Sequence, residues 1–165
     1  MADVYVVNAS PIILLLLGKI ERLDILASLG SIKLLVPSAV VQEIDAGAGG
    51  AAILGDLHKL DLLEIVPEVT VPDEIAQWDL GAGESQVLSV AIKTPGSEVV
   101  IDDLAARKCA KTLSCPMIGT VGALLVGKQR GYVQAVKPIL TQLLESGLRL
   151  SDSMVAFVLD NAGEL

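Results

Sequence analysis

Histidine, cysteine and aromatic side chains are nearly missing from this 165-residue chain. The one histidine, His58, has no cysteine or second histidine in a ligand pattern around it. A solvated surface position accounts for it, and Ser-His-Asp chemistry has little support. The two cysteines, Cys109 and Cys115, match neither a CxxC redox motif nor a zinc-ligand set. They read as buried free thiols, which excludes a disulfide scaffold. With 2% aromatic but 52% hydrophobic residues, the core must be built from Leu, Val, Ile and Ala. That composition suits interleaved helices and buried parallel strands better than an all-β sandwich.

Long apolar runs are lacking too. The longest, Pro11 to Leu17, falls short of the roughly 18 to 20 residues that a membrane span requires. No Lys or Arg precedes Lys19, so the start of the chain lacks the basic segment of a secretory signal. The expectation is a cytoplasmic protein with no membrane association, folded as a single α/β domain over residues 1–165. Positive charge is also scarce: the formal net charge is −8, which argues against a surface coated for non-specific nucleic-acid binding. A local basic groove is still compatible with it. Acids gathered in one pocket would explain part of the imbalance, and a divalent cation would then face the phosphate.

What is present is an alternation of strands and helices. Val4-Tyr5-Val6-Val7 reads as a strand buried on both faces, and Ser10-Pro11 as the start of a helix to Leu17. A second helix is expected from Glu21 to Leu29, closed by Gly30, then a strand at Lys33–Val36 ending at Pro37. Ser38 should cap a helix containing Gln42-Glu43, and the glycine-rich 46–50 stretch reads as a flexible internal linker. A helix at 51–60, a strand at 62–66, an irregular segment at 72–80 and a helix at 83–93 follow. Next come a strand at 99–101, a helix at 104–113, a short strand at 116–118, and helices ending near 131, 146 and 161. The apolar 154–158 stretch of the last helix is core or interface, with core preferred.

Polar residues recur at one architectural address. Asn8 and Asp102-Asp103 stand at strand ends, Glu43 on the helix after the second strand, and Glu84 at a helix start after Gly81-Ala82-Gly83. Parallel strands bring their C-terminal ends together, so these sites can share one cleft. Clustered carboxylates resist joint ionisation, and Mg²⁺ or Mn²⁺ relieves that penalty, a chemistry that serves phosphodiester hydrolysis. Each residue also has a plain alternative. Asn8 can be a substrate contact or a turn-former, Glu84 can complement a helix dipole, Glu43 can be solvated, and Asp103 can cap the following helix. The basic residues Arg107, Lys108 and Lys111 either meet phosphates beside the cleft or form an ordinary solvated face.

The segments VVNASPII, VPSAVVQEI, LGAGESQVLSVA, VVIDDLAARKCA, IGTVGALLVGKQRG and AVKPILTQLLESGLRLSD together resemble the PIN-domain superfamily, in its branch of small prokaryotic proteins related to VapC toxins. The resemblance implies a three-layer α/β/α fold with a central parallel sheet and a Mg²⁺- or Mn²⁺-dependent ribonuclease site. It also implies a homodimer and, for toxin members, a restraining antitoxin protein. It places metal-binding and catalytic acids on Glu43, Glu84 and Asp103, with Asp102 beside them. Asn8 stands where these nucleases usually have Asp, and Ser10 matches the small hydroxyl residue of that segment. Leu104 stands where the branch often has Arg, and Arg107 matches a second Arg. The implied function is hydrolysis of RNA phosphodiester bonds; the alternative is a catalytically weakened or inactive PIN-like module that binds nucleic acid or protein.

Overall fold

The computed structural model describes residues 2–17, 20–29 and 32–165. Five short strands form one parallel sheet: β1 (Val4–Val7), β2 (Lys33–Pro37), β3 (Leu63–Val66), β4 (Ser97–Val100) and β5 (Met117–Ile118), in the order β3-β2-β1-β4-β5. Among the described residues ten helices surround it: α1 (Ala9–Leu16), α2 (Leu23–Leu29), α3 (Ser38–Ala46), α4 (Gly50–Leu57), α5 (Asp73–Ala76), α6 (Ala82–Ile92), α7 (Leu104–Thr112), α8 (Thr120–Gln129), α9 (Val136–Glu145) and α10 (Asp152–Asn161). The connection from β1 to β2 runs toward one edge of the sheet, and that from β3 to β4 runs back past it. Right-handed crossovers therefore put their helices on opposite faces, giving three α/β/α layers as expected. The strand order reverses between β1 and β4, so a switch-point crevice opens at their C-terminal ends, where Asn8 and Asp102 follow.

The central strands are buried because both faces carry helices: Tyr5, Val6, Val7, Val36, Val99 and Val100 have no exposed surface. Edge strand β3 differs, exposing Glu64, which pairs with Lys33 at 2.7 Å; charge on an edge strand discourages pairing with a further chain. Cys109 is buried and Cys115 half-buried, both free, and burial pushes both thiols up. His58 is exposed, as expected. Among the described residues, no helix is long and apolar enough to cross a membrane.

Several boundaries depart from the sequence reading. Helix α1 begins at Ala9, not Pro11, with Asn8 in the N-cap position, so Ser10 lies inside the first turn. Pro11 is tolerated there because first-turn N–H groups have no intrahelical partner. Helix α2 starts at Leu23 because Glu21 has φ of 42°, a left-handed value outside the helix. The expected closure by Gly30 lies outside the described residues. Pro37 ends β2 and occupies the N-cap of α3, making Ser38 the first helical residue. The 46–50 stretch is a tight corner and not a flexible linker: Gly49 supplies φ of 71°, and α4 starts at once at Gly50. Within 72–80, Pro72 with Asp73 and Glu74 starts the short helix α5, since acids complement a first turn. The preference for core along α10 holds for Val158 (1% exposed) but not for Met154 (45%) or Phe157 (59%).

Glu164 holds the far end of the helical layer. Its carboxylate accepts from the N–H groups of Val136 at 2.7 Å and Lys137 at 2.9 Å, with Lys128 Nζ at 3.1 Å, so it caps the first turn of α9. These donors, the Val136 N–H first, hold its carboxyl down at about 2. A depressed carboxyl pKa stabilises the fold above the unfolded value, and that contribution is lost as pH falls from the ordinary carboxyl range through about 2. Glu164→Gln should therefore lower Tm at neutral pH, and the gap from wild type should close on acidification. Thermal melts of both proteins across pH check this; a constant gap would contradict it.

Candidate active site

Residue by residue, the C-terminal edge of the sheet divides into two groups. The first surrounds Gly83 in the opening turn of α6. Asn8 directly follows β1, where its backbone N–H donates to the Val100 carbonyl at 3.0 Å, and it is 1% exposed. Although it occupies the N-cap of α1, its side chain makes no capping hydrogen bond, and its Oδ1 is buried without a partner. A buried acceptor in that state carries the cost of desolvation with nothing to offset it. Across from it stands Glu43 on α3. A Cβ placed on Gly83 would lie 2.6 Å from Glu43 Oε2 and 3.3 Å from Asn8 Oδ1, so both oxygens converge where glycine leaves room. Glu84, also in the first turn of α6, folds its carboxylate back over Gly81 and, with Glu43, lines a shallow cleft above. Glu43 is exposed overall, but the partial desolvation of its carboxylate, and then the charge of Glu84, raises the carboxyl above its usual range.

The second group surrounds Gly119, between β5 and α8. Asp102 accepts from Thr120 twice, from the backbone N–H at 2.8 Å and from Oγ1 at 2.5 Å. Thr120 is fully buried and Asp102 half-buried, so this carboxylate is fixed in direction. Arg107 comes close to Gly119 and donates from Nη1 to the Ile101 carbonyl at 2.8 Å. Asp103 is exposed and turns the other way, accepting from the Ala106 N–H at 2.9 Å to cap α7. Ser10, Lys108 and Lys111 are exposed, and Leu104, where the resemblance expects Arg, is 67% exposed.

Among the described residues, no three Asp, Glu, His or Cys side chains gather closely enough to hold a metal ion by themselves. The set around Gly83 nevertheless fits a hard divalent cation in kind. Its donors are all oxygens, one is a buried acceptor with no partner, and two are carboxylates whose mutual repulsion a cation would relieve. Two residues of this edge were not singled out from the sequence. Thr120 opens α8 with Gly119 alone between it and the end of β5, and its hydroxyl fixes Asp102. Gly83 was read only as part of a turn; its role as a spacer shows only once α3 and β1 are placed.

Gly83 gives a direct test of that convergence. Alanine is intrinsically better than glycine in a helix by up to about 1 kcal/mol, yet its Cβ would press on the Glu43 and Asn8 oxygens. Gly83→Ala should leave Tm within a few degrees of wild type while weakening Mn²⁺ binding. Calorimetric titration beside a thermal melt reads both; unchanged metal affinity would disconnect Gly83 from the site.

A five-stranded parallel sheet whose order reverses between β1 and β4, with polar residues gathered at that edge, invites comparison with known folds. A family model described as a PIN domain matches residues 4–164, and none of the curated proteins compared with it matches the chain. The match runs through all five strands and implies a nuclease-type fold, so the chain belongs to the PIN-domain superfamily.

Proposed function

We propose that this chain is a Mg²⁺- or Mn²⁺-dependent ribonuclease acting in the cytoplasm, with Asn8, Glu43 and Glu84 as the ligand set. The observation that carries the reading is the unpartnered Asn8 Oδ1, buried beside Glu43 across Gly83. When bound, the cation would supply Lewis-acid assistance to hydrolysis of an RNA phosphodiester. Glu43 on α3 and Glu84 on α6 would hold it, with the neutral Asn8 oxygen as a further donor. Asp102, fixed by Thr120, holds its charge at the neighbouring strand end, and Asp103 sets the start of α7. That helix presents Arg107, Lys108 and Lys111 to the RNA phosphates, with Ser10 at the opposite rim. The related toxins supply the finer reading: a homodimeric toxin restrained by an antitoxin protein.

A specific pair of observations favours a second reading, a PIN-like module with weakened or no catalysis that binds nucleic acid or a protein. Position 8 carries an amide in place of an acid, and no three acids gather among the described residues. One experiment separates the two. Stabilisation by a ligand that binds only the folded state reaches about 2.7 kcal/mol at a hundredfold excess over Kd. Tm should therefore climb with Mn²⁺, and a labelled RNA should be cut in Mn²⁺ but not in EDTA. A flat melting temperature with intact RNA would select the binding module.

A further inference from the structure

We infer that the groove between β5, α8 and α10 is a subsite for one nucleotide of single-stranded RNA, with Phe157 stacking on its base and Arg149 meeting its phosphate. The inference deepens the ribonuclease reading and rests on it for the identity of the polymer. The groove encloses about 400 Å³, within the range of pockets that hold small ligands. Leu125 and Leu150 line it, and α10 adds Met154 and Phe157. Phe157 is 59% exposed although Val158, the next residue, is buried. So α10 packs one face into the core and leaves its only aromatic ring uncovered over a depression.

Charge narrows the occupant. On a chain of net charge −8, the charged residues lining this groove are two arginines, Arg107 and Arg149, and the single acid Asp102. Asp102 is already committed to Thr120. Among the described residues Arg149 has neither a hydrogen-bond nor an ion-pair partner, despite the excess of carboxylates in the chain. An apolar wall that carries an exposed ring and two guanidiniums calls for a ligand with a flat apolar face and a negative charge. A nucleotide has both: its base offers a π-face to Phe157, and its phosphate matches the guanidinium fork. Asp102, which lines the groove with Arg107, follows β4 at the switch-point edge of the sheet, so the groove opens on the same edge as the acids.

The test uses a fluorescent oligouridine of about eight nucleotides, with anisotropy read in EDTA so that nothing is cut. Phe157→Ala and Arg149→Ala should each weaken binding about tenfold, and Phe157→Trp should retain it. Arg149→Ala should also reduce the salt dependence by about one phosphate contact. Wild-type affinity in Phe157→Ala would overturn the proposal. So would a wild-type dimer, seen by light scattering, that Phe157→Ala dissociates without loss of RNA affinity, since the groove would then join two copies of the chain. The two readings fail separately. Phe157-dependent RNA binding with neither Mn²⁺ binding nor cleavage would sink the ribonuclease and keep the subsite; cleavage with KM unmoved by Phe157→Ala would do the reverse.

Discussion

Glu43→Gln is expected to abolish metal-dependent RNA cleavage, by about a hundredfold or more, while raising the Tm of the metal-free protein. The two effects have one cause. Glu43 is held beside Asn8 and near Glu84, and burial and the Glu84 charge push its carboxyl up. A raised carboxyl pKa means that the fold disfavours the charged form. The penalty is absent below about pH 4, where the unfolded chain is also protonated, and it develops as pH rises through the folded value. Glu43→Gln removes it, so its Tm advantage should be negligible in acid and appear toward neutrality. Adding Mn²⁺ should reverse the ranking, because the cation stabilises only a site that still carries the charge. Melts at several pH values, with and without Mn²⁺, and an RNA cleavage assay read all of this. A variant that melts lower than wild type and still cleaves would make Glu43 an ordinary helix residue.

The same cluster shows how far the sequence could be read. Strands β1, β2 and β4 were legible because Val, Ile and Leu runs without polar interruption have few homes other than a sheet covered on both faces. Their C-terminal ends then fixed Asn8 and the Asp102-Asp103 pair at one edge. Side-chain direction was not legible there. Strand alternation stops where the strand stops, so adjacent acids at its end carry no pattern that says which one turns inward. The Thr120 hydroxyl settles Asp102, and the Ala106 N–H settles Asp103. Glu43 reads in sequence either as a site acid or as a solvated helix residue; it is exposed, and its approach to Asn8 depends on the missing side chain of Gly83, forty residues further on. Along α10 the apolar period was visible, but not that its Phe157 side would find no covering element.

Asn8→Asp is the substitution with the largest expected response in both directions. Asn8 is 1% exposed, makes no side-chain cap for α1, and keeps Oδ1 unpartnered, so a turn-forming role leaves its side chain without employment. If it only shapes the turn, Asp is as acceptable as Asn, and stability should shift by well under about 1 kcal/mol with no change in metal affinity. As a site residue it behaves otherwise. A new carboxylate would be buried beside Glu43 and near Glu84, costing the metal-free fold about 2 kcal/mol, or roughly 5 °C in Tm. The same charge gives Mn²⁺ a third anionic oxygen, and affinity should rise about tenfold or more, with the cleavage rate rising alongside. Saturating Mn²⁺ should then carry the variant's Tm to or beyond the wild-type value. The gain in affinity should disappear in the Asn8→Asp, Glu84→Gln double variant, because the cation would again face two carboxylates; such coupling between neighbours is what a double-mutant cycle isolates. Calorimetric titration of wild type, both single variants and the double variant with Mn²⁺ decides the matter, and equal affinities in wild type and Asn8→Asp would remove Asn8 from the site.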